Sequence, residues 1–457
     1  MTNGRYVVVG GGISGLSAAH ALGDKFPDAE IVLLEASARI GGKIITDRTG
    51  GYVLEGGPDS ILRRKPEAID LATGLGLTPI GTNPGTRGAF IYYHGRFFPI
   101  PVGIQAGIPT DIKALLKSRL LSWSGKFRAS LDFVLPRITD RDQDMALGRF
   151  LRYRFGDEVV DRLAAPMLSG IYAGDIDQMS LEATFPQFKD LERDSRSVVL
   201  GSRRRQRLAK PSTTSGSLFA SFPRGLESLT ETLAEAMTSV EIRYNAPVDR
   251  LESQDTIVQV RLGDVTIEAD GVVLAVPAFV AASLIQDVSP MVAHVLREIA
   301  YPNLAVVGAI YAPDAINVPD HKTGFLVPRQ PGIQMTAGTY VTSKWHYPGV
   351  PEGQVIRAFY GRAGEDILRL SDQELVSLYR QEMSTIFPGV GEPRYQKVFR
   401  HPYAIPQYQV GHVRKIEAAL TQMRQEWPRV SLAGAYINGV GIPDCIRRAH
   451  QAVEELS

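Results

Sequence analysis

The sequence predicts an α/β fold, α+β overall, built around a discontinuous Rossmann-like domain. Two observations predict it. Three glycine-rich segments lie far apart along the chain, and the first stands between a short apolar run and a helix start. We call them the first signature (Gly10–Gly15), the second (Glu35–Asp59) and the third (Gly434–Asp444). If they serve one ligand, distant parts of the chain must fold together.

The first signature has the pattern of a dinucleotide-binding turn. Residues 6–9 read as a buried parallel strand, and G-x-G-x-x-G spacing follows. A helix over about 14–22 would aim its first N–H groups at a pyrophosphate. The next strand, 31–34, ends at an acid about 20 residues past the last glycine, where a carboxylate suits a ribose hydroxyl. The residues expected to bind are Gly10, Gly11, Gly12, Ile13, Ser14, Gly15 and Glu35.

The second signature favours FAD over a nicotinamide cofactor. Where regular βαβ units would continue, Arg39 and Lys43 flank two glycines and put cations near a diphosphate. The glycines of 55–59 would let backbone approach a flat ring system. We expect non-covalent FAD, since no histidine or cysteine stands at a recognisable flavin-attachment position. Further expected cofactor residues are Ala36, Arg39, Gly42, Lys43, Gly57, Pro58, Asp59, Ser60, Gly434, Val440, Gly441 and Ile442.

Composition limits the remaining function classes. A chain of 457 residues predicts two or three domains, and a net charge of +1 gives no indication of nucleic acid binding. The single cysteine, Cys445, excludes an internal disulfide and reads as a small apolar residue at a helix start. The eight histidines are scattered, so no metal site is expected. With no signal peptide and no apolar stretch of bilayer length, we predict a cytoplasmic protein.

The remaining elements are predicted from periodicity. Leu226, Leu229 and Leu233 follow a helical period, Gly263-Asp264 marks a hairpin turn, and residues 270–277 read as a buried strand. A helix that begins near Asp444 would point its positive end at the flavin and favour reduction.

We divide the chain into three domains. The FAD-binding domain takes residues 1–60, 218–288 and 425–457. A mixed-sheet substrate domain takes 61–90 and 289–424, and a helical domain takes 91–217.

One basic segment lies outside these motifs. It contains Arg203, Arg204, Arg205, Arg207 and Lys210, flanked by glycine, serine and proline. We interpret it as a solvated loop. The alternative is a docking patch for an acidic partner or a membrane surface.

Narrower motifs carry a family resemblance along nearly the whole chain. They are Gly57–Ser60, Ser169–Asp175, Thr184–Phe188, Lys344-Trp345, Pro351–Gly353, Pro406–Tyr408 with Gly411-His412, and Gly439–Cys445. With them the chain resembles the oxygen-dependent protoporphyrinogen/coproporphyrinogen oxidases of haem biosynthesis, most closely the soluble bacterial coproporphyrinogen III branch. The flavin motifs alone resemble only the wider amine oxidase and desaturase superfamily. That likeness implies an amine-oxidase-like FAD domain with Val248 against the adenine.

The resemblance implies an activity and partners. The activity is a six-electron oxidation of coproporphyrinogen III to coproporphyrin III in three flavin cycles, with oxygen as acceptor and hydrogen peroxide as product. The implied partners are the porphyrinogen and molecular oxygen. A candidate protein partner is the next haem-pathway enzyme, ferrochelatase, and peripheral membrane contact is a further candidate.

Substrate residues are expected from the same likeness. Arg64 and Lys65 would hold propionates, although a solvated helix start explains Lys65 equally well. Ile171 and Tyr172 would face the macrocycle. Tyr360, on a strand over 355–360, is assigned with Ile171 to the catalytic pocket, its alternative being a core position. Asp59 departs from the protoporphyrinogen branch, which tends to carry a basic residue there, so that branch's substrate contacts do not transfer directly.

Three alternatives stay open. Protoporphyrinogen IX is the first, as substrate of the same enzyme class. An amine oxidase, with an aromatic cage, or a carotenoid-desaturase-like enzyme, with an apolar tunnel, is the second, and neither explains the narrow motifs. The third is a non-catalytic binding protein of this fold, as GDP-dissociation inhibitors are. Intact Glu35, Arg39 and Gly439–Asp444 argue against it.

Overall fold

The computed structural model describes residues 4–101, 103–105, 108–109, 111–140, 143–208, 217–254, 257–319 and 321–456. The strands in these ranges are β1 (Arg5–Val9), β2 (Glu30–Leu34), β3 (Thr46–Asp47), β4 (Leu54–Glu55), β5 (Ile61–Leu62), β6 (Ile80–Gly81), β7 (Phe90–Tyr93), β8 (Arg96–Pro99), β9 (Ile104–Gln105), β10 (Ile108–Pro109), β11 (Phe219–Ser221), β12 (Val240–Arg243), β13 (Arg250–Gln254), β14 (Ile257–Leu262), β15 (Val265–Ala269), β16 (Gly271–Leu274), β17 (Leu304–Tyr311), β18 (Gly324–Leu326), β19 (Ala337–Tyr340), β20 (Gln354–Tyr360), β21 (Tyr395–His401) and β22 (Val430–Leu432).

The α-helices of the same ranges are α1 (Ile13–Lys25), α2 (Glu67–Gly74), α3 (Ile112–Lys117), α4 (Trp123–Ser130), α5 (Leu147–Phe155), α6 (Asp157–Val159), α7 (Ala165–Tyr172), α8 (Leu181–Thr184), α9 (Pro186–Ser195), α10 (Val198–Leu208), α11 (Glu227–Ala236), α12 (Ala278–Leu284), α13 (Pro290–Arg297), α14 (Val341–Lys344), α15 (Asp372–Ile386), α16 (His412–Glu426) and α17 (Ile442–Glu454). A π-helical turn at Val160–Ala164 joins α6 to α7.

The chain forms two compact units. Unit 1 is made of Met1–Gly81, Ser217–Ala300 and Val413–Ser457, and unit 2 of Thr82–Gly216 and Tyr301–His412. The predicted boundaries differ, because residues 61–81, 217, 289–300 and 413–424 fall in unit 1. The division of unit 2 into a substrate domain and a helical domain stays a prediction.

Unit 1 is built on a parallel sheet in the order β12-β2-β1-β16-β22. Strands β1, β2 and β16 are short apolar runs, as expected of strands covered on both faces. Helices α1 and α17 pack together, and Leu16 and Leu22 of α1 are fully buried. Burial of each of these two leucine side chains stabilises the folded state by about 1.5–3 kcal/mol. The predicted discontinuous α/β fold is confirmed.

This topology gathers the three signatures at one edge. Gly10 follows β1, Glu35 follows β2, and Gly434 comes shortly after β22. Ligands of open parallel sheets bind at the carboxyl ends of the strands. The predicted hairpin is also present, since Leu262 pairs with Val265 and Gly263 has a φ of +55°.

Unit 2 contains a mixed sheet in the order β21-β17-β20-β19-β18-β7-β8. Helix α15 covers one face, against a core that includes Ile356, Ala358 and Tyr360 of β20. Alternation along β20 sends every second side chain into this core. The helices α3–α10 belong to the same unit.

Two stretches of unit 2 differ from their sequence-based description. The predicted helical domain begins with strands, because β7 and β8 join the mixed sheet. The basic segment is helical up to residue 208, as the second half of α10, and of its five basic residues Lys210 lies outside the described ranges. Ion pairs join Arg203 to Asp111 and Arg205 to Asp194, so neighbouring carboxylates balance part of its charge.

None of the helices in the described ranges is both long enough and apolar enough to cross a bilayer.

Candidate cofactor site

The first signature folds into a turn that requires glycine at positions 10 and 15. Gly10 has a φ of +105°, and a Cβ on Gly15 would come within 1.7 Å of the Gly10 carbonyl oxygen. Helix α1 begins from Gly12 with no side-chain cap and no acidic residue in its first turn. Its first N–H groups therefore lie open for an anion, as predicted for a pyrophosphate.

Glu35 supports this turn from the end of β2. Its Oε2 accepts the Gly11 N–H at 2.7 Å, and its Oε1 accepts the Ser37 N–H at 2.8 Å and the Ser37 hydroxyl at 2.7 Å. An ionised carboxylate has about four acceptor sites, so capacity for a ribose hydroxyl remains. The predicted ribose contact stays a prediction.

Backbone hydrogen bonds bring the Val248 segment to the same place. The Glu35 N–H donates to the Arg243 carbonyl, and the Ala246 N–H donates to the Glu35 carbonyl, both at 2.9 Å. Half-buried Val248 follows two residues later, and Ala36 is exposed beside the pairing. This is compatible with the predicted adenine contact.

The first and second signatures meet backbone to backbone. The Gly41 N–H donates to the Gly11 carbonyl at 2.8 Å, and a Cβ on Gly42 would lie 3.1 Å from the Gly12 Cα. A Cβ on Gly57 would come within 1.9 Å of the Lys43 carbonyl oxygen. Glycine is thus required by close approach within the protein itself. Pro58, Asp59 and Ser60 follow, half-buried, and the Ser60 hydroxyl donates to Asp59 at 2.8 Å.

The two predicted diphosphate cations differ in their surroundings. The Arg39 guanidinium donates to the carbonyls of Gly42 and Ile44 and to Glu227, each at 2.7 Å, so it braces the loop. The Lys43 side chain reaches the surface, and crowding around its ammonium group lowers the pKa to about 8, mainly by desolvation. A nearby anion would raise this pKa again, because it favours the charged form of Lys43.

A buried acid behind the second signature escaped the sequence analysis. Glu55 is 1% exposed and accepts the Leu226 N–H at 2.6 Å and the Thr46 hydroxyl at 2.7 Å. Glu227 accepts the Thr46 N–H at 3.0 Å. The two acids tie the second signature to the start of α11. The sequence around Glu55 indicates only a glycine turn, and it does not reveal the buried position of this acid.

The third signature wraps around an aspartate. Gly434 and Gly439 have φ values of +146° and +139°, and Gly441 is the N-cap of α17. Asp444 lies in the first turn of α17 with a side chain only 4% exposed. A Cβ on Gly439 would stand 2.4 Å from its Cγ. Val440 and Ile442 complete the turn, and Ile442 is buried.

The same helix start holds Lys65 and Cys445. The Lys65 ammonium lies 2.6 and 2.5 Å from the two carboxylate oxygens of Asp444, while Arg64 is exposed. The substrate role predicted for both is untested, but in this structure Lys65 is already paired. Cys445 is buried in the unit 1 core, and burial raises the pKa of its thiol to about 11.

Two of the narrow motifs meet in unit 2. The Gln407 side-chain amide donates to the Tyr172 carbonyl at 2.8 Å, and the Tyr172 ring lies 6.1 Å from that of Tyr408. A Cβ on Gly174 would come within 1.8 Å of the Gln407 side chain. Tyr172 is the last residue of α7, and Ile171 precedes it in the same helix. Their contact with a substrate stays a prediction.

Tyr360 lies on the face of β20 that packs against α15. It is fully buried, and burial raises the pKa of its phenol. Tyr311 and Tyr379 share a hydrogen bond of 2.8 Å in the same core, and desolvation raises the pKa of neighbouring Glu382. These surroundings favour the alternative of a core residue, and the catalytic assignment is untested. The described residues contain no cluster of potential metal ligands.

Comparison with protein families decides the class. The model of the flavin-containing amine oxidoreductases matches residues 13–457. The chain belongs to this family. It is therefore an oxidoreductase with a flavin cofactor, and the signatures at the sheet edge are the part of the chain that fits such a group.

Relatives of the whole chain carry narrower names. A coproporphyrinogen III oxidase of Bacillus subtilis is 35% identical and aligns over 98% of this chain and 97% of its own length. One of Staphylococcus aureus is 36% identical over 98% of both. The chloroplastic protoporphyrinogen oxidase 1 of Arabidopsis thaliana is 30% identical over 99% of this chain and 87% of its own.

Solved structures agree in fold. A crystal structure from Exiguobacterium sp. 255-15, provisionally assigned as a protoporphyrinogen oxidase, is 36% identical with a TM-score of 0.89, covering 99% of this chain and 98% of that one. Cyclohexylamine oxidase from Brevibacterium oxydans has a TM-score of 0.71 at 19% identity, with the same coverage. The latter likeness supports the fold alone.

Proposed function

We propose that this protein oxidises coproporphyrinogen III to coproporphyrin III with non-covalently bound FAD and molecular oxygen, releasing hydrogen peroxide. One observation carries the choice of substrate. Bacterial relatives named for this reaction are 35% and 36% identical over 98% of the chain, against 30% for the chloroplast protoporphyrinogen enzyme.

The residues of unit 1 fit a dinucleotide flavin. The start of α1 is uncapped and free of acids, and Gly12 and Gly42 leave the space between the first two signatures without side chains. The α1 N–H groups would bind the diphosphate with Lys43 close by, and Glu35 would accept from the ribose. When bound, FAD supplies a two-electron acceptor that takes hydride from a carbon and is reoxidised by oxygen.

The stoichiometry follows from the substrate. Conversion of the porphyrinogen to the aromatic porphyrin removes six hydrogens, as three hydrides from bridging carbons and three protons. Three oxygen molecules accept them and leave as three molecules of hydrogen peroxide. The protein must therefore hold one macrocycle through three rounds, or rebind it, while keeping bulk water from the reacting carbons.

The substrate carries four propionates, so cations are expected around it. Exposed Arg64 is now the stronger of the two predicted anchors, because Lys65 is paired with Asp444. Tyr172, beside the Gln407 contact, is proposed to face the macrocycle, together with Ile171. We also propose a cytoplasmic location, with ferrochelatase as candidate partner and the arginines of α10 as the candidate contact.

The test offers both porphyrinogens to the purified protein under air. Porphyrin fluorescence and peroxide are followed, and kcat/KM is compared under identical conditions. We expect coproporphyrinogen III to be the better substrate and peroxide to form at three per porphyrin. A ratio that favours protoporphyrinogen IX reassigns the substrate, and a protein that turns over neither contradicts the proposal.

The mode of flavin attachment has its own test. Acid or heat precipitation should release yellow FAD into the supernatant. Flavin that stays on the precipitate would contradict non-covalent binding.

A further inference from the structure

Four charged side chains surround the first turn of α17, and we call them the α17 cluster: Lys65, Glu67, Asp444 and Arg447. The Asp444 carboxylate receives the Lys65 ammonium at 2.5–2.6 Å and the Arg447 guanidinium at 2.7 Å. Arg447 also contacts Glu67 at 3.2 Å. Each member belongs to unit 1, and the charges alternate along the chain of contacts.

Asp444 is the least solvent-exposed member of the α17 cluster. Its side chain is 4% exposed, whereas those of Lys65 and Arg447 are 36% and 35% exposed. A buried carboxylate is costly unless cations and hydrogen bonds compensate for lost hydration. The contacts with Lys65 and Arg447 therefore hold the Asp444 side chain in this buried position.

The position matters because the third signature is folded over Asp444. A Cβ on Gly439 would lie 2.4 Å from Asp444 Cγ, and one on Gly441 would lie 3.1 Å from Asp444 Oδ2. Backbone that packs this closely moves when the side chain beneath it moves. Gly441 is also the N-cap of α17, so the turn and the helix start shift together.

Lys65 comes from a distant part of the sequence. It follows β5, a few residues after the second signature, and precedes α2, which packs against α17. The Lys65–Asp444 pair thus ties the segment that follows the second signature to the third signature, across 379 residues of sequence.

We propose that Lys65 is a positioning residue of the FAD site. It holds Asp444 and through it the Gly439–Gly441 turn, and it is not the anchor of a substrate carboxylate. This inference rests on the proposed binding of FAD, and concerns the cofactor and not the porphyrinogen.

The decisive measurement is FAD affinity of the flavin-free protein, followed by the quenching of flavin fluorescence. Lys65→Met keeps the length of the side chain and removes its charge. Asp444 would lose one of the two cations that the structure describes beside it, and the turn would lose its fixed position. We expect the Kd for FAD to rise about tenfold, a size typical of losing one charge-assisted hydrogen bond.

Matched variants separate a specific effect from general damage. Arg64→Met removes the neighbouring, exposed cation and should leave FAD affinity unchanged. Lys65→Arg keeps the charge and should retain most of the affinity. Combining Lys65→Met with Asp444→Asn should cost less than the product of the single effects, because both remove one contact. Thermal unfolding of the flavin-free forms checks that each variant is folded.

If Lys65 instead bound a propionate of the substrate, the kinetic and binding data would differ. Lys65→Met would then raise KM for the porphyrinogen, with an effect that shrinks at high salt, and FAD affinity would stay within twofold of the parent. That result overturns the inference. The titration needs no porphyrinogen, so it can fail while the proposed reaction stands, and it can succeed if the substrate assignment is wrong.

Discussion

Helices α1 and α17 begin with almost the same backbone geometry but differ in the charges around their first turns. Both run for 13 residues, pack against each other, and start from a glycine N-cap in extended conformation, at φ −75°, ψ 177° and φ −77°, ψ 153°. The third residue of α1 is Gly15, whereas the third residue of α17 is Asp444. One helix end lacks an acid, and the other carries a buried one.

The difference indicates two kinds of ligand surface. A positive helix end without its own acid suits a strongly charged group such as a diphosphate. The α17 cluster at the other helix end holds two carboxylates and two cations, so its side-chain charges sum to zero. It suits a part of the cofactor that carries little charge at rest and gains one during reaction.

The most severe way to break this contrast is to give α1 an acid as well. Gly12→Asp should abolish FAD binding, because an N-cap carboxylate would accept the N–H groups that a diphosphate needs and repel its charge. The site accepts a side chain, since φ is −75° and the nearest atom to a Cβ is 3.9 Å away. The fold should therefore survive, and the flavin-free protein should melt no earlier than the parent.

Gly12→Asn is the matched control for charge. It caps the helix equally well without repulsion, so it should bind FAD more tightly than Gly12→Asp. Equal affinities of the two variants would contradict an anion site at the start of α1.

Glu35→Ala should weaken FAD binding by about 10- to 100-fold, as expected for one charge-assisted hydrogen bond worth roughly 1.5–3 kcal/mol. It also removes the acceptor of the Gly11 N–H. Glu35→Gln keeps the size of the side chain, and its FAD affinity should lie between those of the parent and of Glu35→Ala. Equilibrium titration with FAD gives the order, and parental affinity in the alanine variant would show that the first signature is misassigned.

A pH series would sharpen the contrast through Lys43. Its pKa of about 8 means that the flavin-free protein loses this cation above pH 8, so FAD affinity should fall several-fold between pH 7.5 and about 9.5. The unfolded chain keeps the proton up to about pH 10.5, so it binds more protons than the folded form. The stability of the flavin-free protein should consequently rise with pH through that window. Lys43→Met should flatten both profiles.

The smallest effect is expected at the outer end of the α17 cluster. Glu67→Gln removes a partly exposed partner of Arg447, and such pairs contribute about 1 kcal/mol or less. FAD affinity should change less than threefold, well below the effect of Lys65→Met. Comparable losses of FAD affinity in Glu67→Gln and Lys65→Met would mean that the overall charge of the α17 cluster, and not the position of Asp444, determines the affinity.

Sequence reasoning succeeded where chemistry is local. The spacing of Gly10, Gly12 and Gly15 and the apolar runs before them specify a strand, a turn and a helix that need no distant partner. The fold class and the order of signatures could be read for this reason. Resemblance, rather than pattern, supplied the narrower family.

Sequence reasoning failed where the role of a residue depends on a contact with a residue far away in the sequence. Lys65 reads as a surface cation until Asp444, hundreds of residues later, is placed beside it. The arginines of α10 read as a loop because glycine and proline follow, while the ion pairs to Asp111 and Asp194 depend on tertiary packing. Burial of Tyr360 depends on α15, which the strand pattern alone does not reveal.

The strand order of unit 1 also determines when its parallel sheet can be completed during synthesis of the chain. Ribosomes deliver β1, β2 and β16 well before β22 and α17, with the second part of unit 2 in between. Until then the nascent sheet exposes the edge of β16, a template for wrong pairing. Flavin cannot be enclosed on all sides during this interval. The three signatures can therefore form one site only after α17 has been synthesised.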